Sequence, residues 1–138
     1  MGAWGFGHFE NDTACDWVYD LEQSNDMSAI SEAIEAVFED EYIDSDVGCQ
    51  ALAAIDTVAR LLGQSGVKSS YTESVDDWVE NYAFVPSKDL IEKSRNALDL
   101  VLGESSELLE LWADTEEFDA WKSEVMLLRD RINQSVNP

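Results

Sequence analysis

The chain is predicted to be all-α: a single compact bundle of six or seven helices over residues 1–138, with an extended Gly/aromatic N-terminal segment wrapped against it. Three observations carry this reading. From residue 11 onward, apolar residues recur at three- and four-residue spacing, the period of a helix face. The one plausible strand lies within residues 2–9 and has nothing obvious to pair with. A length of 138 residues with 45% hydrophobic content fills one core and is too short for two.

The elements follow in order. Residues 2–17 read Gly2-Ala-Trp-Gly-Phe-Gly-His-Phe-Glu-Asn-Asp-Thr-Ala-Cys-Asp-Trp17. Glycines at 2, 5 and 7 alternate with Trp4, Phe6 and Phe9, which lets the segment lie closely against a core. Asn11 is placed to cap a first helix whose Ala14, Trp17, Val18 and Leu21 share one face, and Gln23 to Asp26 ends it. A second helix puts Ile30, Ala33, Ile34, Val37 and Phe38 on one stripe, and its acidic C-terminal end opposes the helix dipole and is expected to fray. Asp44 or Ser45 caps a third, in which Val47, Ala51, Ala54, Ile55, Val58 and Leu62 form a nearly continuous inward face up to Gly63. Its small residues let neighbours approach closely, which makes it the candidate central helix.

Beyond a loop over 64–74, a short helix starts at Ser74, carries Trp78, Val79 and Tyr82, and must end before Pro86. Ser87 caps the next, with Leu90, Ile91, Leu98, Val101 and Leu102 apolar and Gly103 at its close. Leu108, Leu111 and Trp112 form another short helix. Asp114 and Glu117 then have the spacing of a capping box for the last, where Phe118, Trp121, Val125, Leu128 and Ile132 make a narrow packing seam. Trp17, Trp78, Trp112 and Trp121 all fall on apolar stripes and are expected in the core.

The pattern G-x-W-G-x-G-x-F-x-N-D-x-A-x-D-W, filled by Gly2 through Trp17, resembles the opening of the domain of unknown function 4259 family of small bacterial proteins. Gln50 to Gly63 resembles that family's alanine-rich middle helix, and Ser106 to Trp112 with Trp121 and Leu128 resembles its C-terminal helices. The resemblance implies a small helical domain with no established activity, and so carries over no catalytic residues. At position 8 the family pattern leads to Pro or Asn, and this chain has His8. That departure argues against a shared catalytic histidine.

Thirty acids against eight bases give a formal charge of −22, and the first 59 residues hold fourteen acids and no base before Arg60. Such a surface repels nucleic acid and anionic membranes and steers basic proteins and cations toward itself. No apolar run reaches the ~18 residues of a membrane span, and no basic start with an apolar block marks a secretory signal, so the cytosol is the expected location. Cys15 and Cys49 have no Cys-x-x-Cys spacing and read as small core residues. One histidine and two cysteines are too few for a zinc site. No phosphate-binding glycine string occurs.

Two constellations remain. Asn11, Asp12 and Asp16, with Trp4 and His8, form a motif in which Asn11 caps the helix and Asp16 anchors the loop. The same oxygen-bearing side chains, with Glu10 nearby, are the residue types that hold a divalent cation. Further along, Glu39, Asp40, Glu41, Asp44 and Asp46 surround Tyr42 and Ile43, five carboxylates within eight positions. Acid-flanked side chains of this kind dock a basic partner by steering first and packing second, unless Tyr42 and Ile43 are themselves buried.

The function expected is therefore an acidic cytoplasmic protein-interaction module, immunity-like or neutralising, that binds a basic protein partner, with no catalytic set, no metal and no cofactor. The alternative is a small hydrolase or ligand-binding domain with a cation-assisted site at the N-terminal Gly/Trp/Asn-Asp motif, using His8, Asp12 and Asp16. A third reading, a nucleic-acid mimic, requires acids at phosphate-like spacing on one face.

Overall fold

A computed structural model describes residues 5, 7–64, 66 and 68–134. Trp4 lies outside the described residues, as do Gly2, Ala3 and Phe6 of the segment expected to wrap the bundle.

Among the described residues there are seven α-helices and no strand. Helix α1 (Asp12–Glu22) begins at Asn11, whose Oδ1 accepts from the Ala14 amide at 2.8 Å, and it buries Ala14, Trp17, Val18 and Leu21. Asn11 thus satisfies an amide that the helix's own ladder leaves open. Helix α2 (Ser28–Glu35) tightens into a 3₁₀ turn over Ala36–Phe38. There is no basic residue in its last turn to offset the dipole. The tighter turn rotates Phe38 off the apolar stripe, and Phe38 is exposed where the periodicity expected it inside.

Helix α3 (Ser45–Leu61) is capped by Asp44, which accepts from the Asp46 amide at 2.7 Å, and the chain turns away at Gly63 with φ +83°. Helix α4 (Glu73–Tyr82) starts one residue before Ser74 and stops at Ala83, which has φ +47°. Its Trp78 is buried, and the indole N–H donates to the Ser24 carbonyl at 3.0 Å. Helix α5 (Lys88–Val101) is capped by Ser87, and α6 (Glu107–Ala113) by Ser106. Helix α7 (Phe118–Gln134) buries the predicted seam of Trp121, Val125, Leu128 and Ile132, and Trp121 stacks on Trp112 at 6.1 Å.

The core is built around α3, which contacts each of the other helices and the 3₁₀ turn. From Ala51 to Arg60 every residue is buried. A single amphipathic stripe cannot describe such a helix, because it has neighbours on all sides. The alanines at 51, 53, 54 and 59 leave room for that crowding, and Gly48 is set close against Leu108 of α6.

The stretch leading into α3 is tied to the start of α6 by main-chain bonds. Ile43 and Ser106 form a parallel bridge: the Ile43 amide donates to the Ser105 carbonyl at 2.7 Å, and Glu107 N–H donates to the Ile43 carbonyl at 2.9 Å. Ile43 is buried there, while its neighbour Tyr42 is exposed.

Candidate functional site

The enclosure of α3 is not purely apolar. Asp56 and Arg60, one helical turn apart and so on the same face, are both buried, and Arg60 Nε donates to Asp56 Oδ1 at 2.9 Å. Arg60 Nη1 reaches Asp76 Oδ1 on α4 at 2.8 Å, and Arg131 of α7 brings its Nη2 to Asp56 Oδ1 at 2.8 Å. Arg131 Nε also donates to the Gln64 carbonyl at 2.7 Å, and Thr72 hydrogen-bonds Asp76 Oδ2 at 3.2 Å. Two acids and two arginines therefore join α3, α4 and α7 where charge would otherwise be costly to bury. Burial pushes the Asp56 carboxyl up. The His8 ring and the guanidinium groups of Arg131 and Arg60 outweigh burial and hold it below the usual carboxylate range.

His8 and Phe9 of the N-terminal motif lie beside this network. The Phe9 ring lies 5.7 Å from the Arg60 guanidinium carbon, within cation–π range. His8 is 7% exposed, and its Nε2 sits 3.2 Å from the Glu124 carbonyl oxygen on α7. A carbonyl only accepts, so Nε2 carries the proton. Burial lowers the imidazole below its ordinary value of 6.5, against the opposing pull of Asp56 and the Glu124 carbonyl. The ring is neutral at neutral pH, and its Nδ1 is a buried acceptor with no partner among the described residues.

His8 lines a cleft of about 500 Å³ between the N-terminal segment, α3 and α7. Asp56, Arg60 and Arg131 form its floor, with Phe9 and Leu127 as apolar wall. Glu10 lies against Gly5 and Gly7, where a side chain on either glycine would collide with its carboxylate. Gly66 similarly leaves room for Arg131: a Cβ there would sit 2.6 Å from Nη1.

The motif residues separate. His8 is in the cleft, and Asn11 is buried and occupied as a cap. Asp12 and Asp16 are exposed on α1 and do not line the cleft. Among the described residues, no group of three or more His, Cys, Asp or Glu is arranged to hold a metal ion. Cys15 is exposed, not in the core, and Cys49 is partly buried. Burial pushes both thiols up, Cys49 to about 12, so neither is a thiolate nucleophile at neutral pH.

The acidic run is open to solvent. Glu39, Asp40, Glu41, Asp44 and Asp46 are exposed, and Tyr42 is 48% exposed with Phe38 at 44%. Tyr42 donates its hydroxyl to Glu110 of α6 at 2.6 Å, and that hydrogen bond pushes its phenol up to about 12. The ring is held in place.

Sequence reasoning missed Asp56, Arg60, Asp76 and Arg131. A signal existed: a D-x-x-x-R string lies inside the alanine-rich helix read as inward-facing, and its Arg60 is the first base in the chain.

In comparison with known proteins, residues 2–124 match the family model described as "Domain of unknown function (DUF4259)". No curated protein and no solved structure matches the chain.

Proposed function

We propose, for a chain that belongs to the DUF4259 family, that it acts as a cytoplasmic interaction module of immunity-like or neutralising type, binding a basic protein partner through the edge formed by residues 38–46. One observation carries this reading. Two aromatic rings, Phe38 and Tyr42, stand exposed among exposed Glu39, Asp40, Glu41, Asp44 and Asp46. Acids give long-range attraction, and a held ring gives a contact that water does not easily replace.

The placement of the bases supports it. Arg60 and Arg131 are taken up inside the protein, Lys93 lies against Glu35 and Asp89, and Arg129 against Asp99. Each of these bases is matched by an acid beside it, so the remaining surface keeps the strongly negative balance of the sequence. No helix among the described residues is long and apolar enough to cross a membrane. No observation favours the cation-assisted hydrolase, since Asp12 and Asp16 lie outside the cleft that holds His8.

The test is kinetic. A basic partner is recovered from native lysate, purified, and its association and dissociation measured. Neutralising the five acids to Gln and Asn slows association and flattens its salt dependence, and Asp44→Asn preserves the helix cap. Tyr42→Ala shortens the lifetime of the complex. A partner whose rates are unchanged by both variants overturns the proposal.

A further inference from the structure

The cleft over the Asp56–Arg60–Arg131 network has features that neither packing nor the 38–46 edge explains. His8, which lines it, carries at Nδ1 a buried acceptor with no donor among the described residues. Such an atom is costly to leave unmatched, so the site calls for an N–H or O–H group from outside the fold.

The charge of the lining selects among donors. Of the lining groups Asp56 pairs with both Arg60 and Arg131, and Asp76, outside the lining, takes the other end of Arg60, so the two guanidinium charges are already matched. Glu10, Glu124 and Asp130 also line the cleft, and among the described residues their side chains make no hydrogen bond or ion pair. Three uncompensated acids, on a chain of formal charge −22, disfavour an anion and favour a cation. Phe9 and Leu127 offer apolar contact to a short aliphatic stem. The volume, about 500 Å³, is within the range of small-molecule sites.

We propose that this cleft binds a small organic cation with N–H donors, an alkylammonium or alkylguanidinium. Its N–H satisfies His8 Nδ1, its charge faces Glu10, Glu124 and Asp130, and its stem lies along Phe9 and Leu127. Glycine at 5 and 7 then has a functional reason, because it leaves the Glu10 carboxylate room beside the motif's backbone. The inference does not rest on the 38–46 edge.

His8 is the only histidine, so its ring nitrogens can be observed without ambiguity in the ¹⁵N-labelled full chain. Butylammonium and butylguanidinium chloride are titrated, with butanol, sodium butyrate and sodium chloride as matched controls. Both cations are expected to move the Nδ1 resonance saturably while the controls leave it in place. The double variant Glu10→Gln/Asp130→Asn, at half-buried and exposed positions, is expected to weaken binding about fivefold for each acid removed. The proposal is overturned if Nδ1 does not respond to either cation up to ~0.1 M, where general screening sets in. It is equally overturned if sodium chloride or butyrate moves Nδ1 as much, or if the double variant binds the cations unchanged. Detection of a long-lived water bound at Nδ1 that the cations do not displace also sinks it. Loss of the lysate partner with intact cation binding, or the reverse, separates this site from the proposed interaction edge.

Discussion

Asp56→Asn removes one charge and almost no volume from the most enclosed part of the molecule. In the native protein a single oxygen, Oδ1, takes Arg60 Nε at 2.9 Å and Arg131 Nη2 at 2.8 Å, and the side chain is 5% exposed. Removing one member of a buried charge network typically costs about 3–5 kcal/mol, because its partners are left uncompensated. Here Arg60 keeps Asp76, and Arg131 keeps the Gln64 carbonyl and has a side chain 17% exposed. Both retain some compensation, which places the expected loss at the lower end, about 3 kcal/mol. For a domain of this size that is a fall of roughly 10 °C in melting temperature. Urea unfolding followed by circular dichroism reads it directly. A second variant sharpens the logic: Asp56→Leu with Arg60→Met and Arg131→Met leaves Asp76 as the one charge of the four without its ion partner, and Asp76 is 27% solvent-exposed and keeps Thr72. The triple variant is expected to be more stable than Asp56→Asn, since whole-network replacement leaves little buried charge unmatched. A loss below about 1 kcal/mol for Asp56→Asn, or a triple variant less stable than it, would refute the reasoning that charge compensation holds α3 to α7.

Three further outcomes are expected. Asn11→Ala loses the cap on α1 and costs about 1 kcal/mol by chemical denaturation, whereas Asp12→Ala, exposed and outside the cleft, costs much less. Gly66→Ala drives a methyl into the Arg131 guanidinium, which two acceptors hold in place, and destabilises by about 1–3 kcal/mol. Stability at acid pH tracks His8. Because its folded value lies below 6.5, the unfolded chain takes up the proton first, so stability is intact above pH 6.5 and falls as pH drops below it. The slope is at most about 1.4 kcal/mol per pH unit. Asp56, Arg131 and the Glu124 carbonyl and carboxylate all act on that ring, and His8→Gln is expected to flatten the profile just below pH 6.5 and, because the His8 ring helps hold Asp56 low, to shrink the separate loss below 3.8 that comes from Asp56.

The helices were legible because each is specified by neighbours in sequence. Asn11, Asp44 and Ser87 announce their helices by a capping oxygen two or three residues before the amide it accepts, and Gly63 ends α3 at a backbone angle that favours glycine. Phe38 was misplaced because a 3.6-residue period was assumed through a turn that closes in three. Tyr42 and Ile43 divide between solvent and core because Ile43 pairs with Ser106, which no local pattern reveals. The cleft was hidden for the same reason. Asp56 meets Arg131 across 75 positions of sequence, and His8 meets Glu124 across 116. Periodicity speaks only to the face a residue occupies, so Asp56 and Arg60 read as irregularities in an apolar helix. Their partners become visible only when α7 is laid alongside.

The enclosure of α3 on every side bears on how sequences of this fold can lengthen. Each added residue in a helix turns everything beyond it by about 100° and advances it about 1.5 Å. One insertion between the Asp44 cap and Asp56 would swing Asp56 and Arg60 away from α7 and α4, and it would move the alanines out of register with the neighbours they admit. No neighbour could compensate, because each packs against the same helix. The exposed turns over residues 39–41 and 114–117 lie outside that helix and carry no such constraint. Length variation in relatives of this chain is expected to collect in those connections, with the span from Asp44 to Gly63 invariant in length even where its residues change.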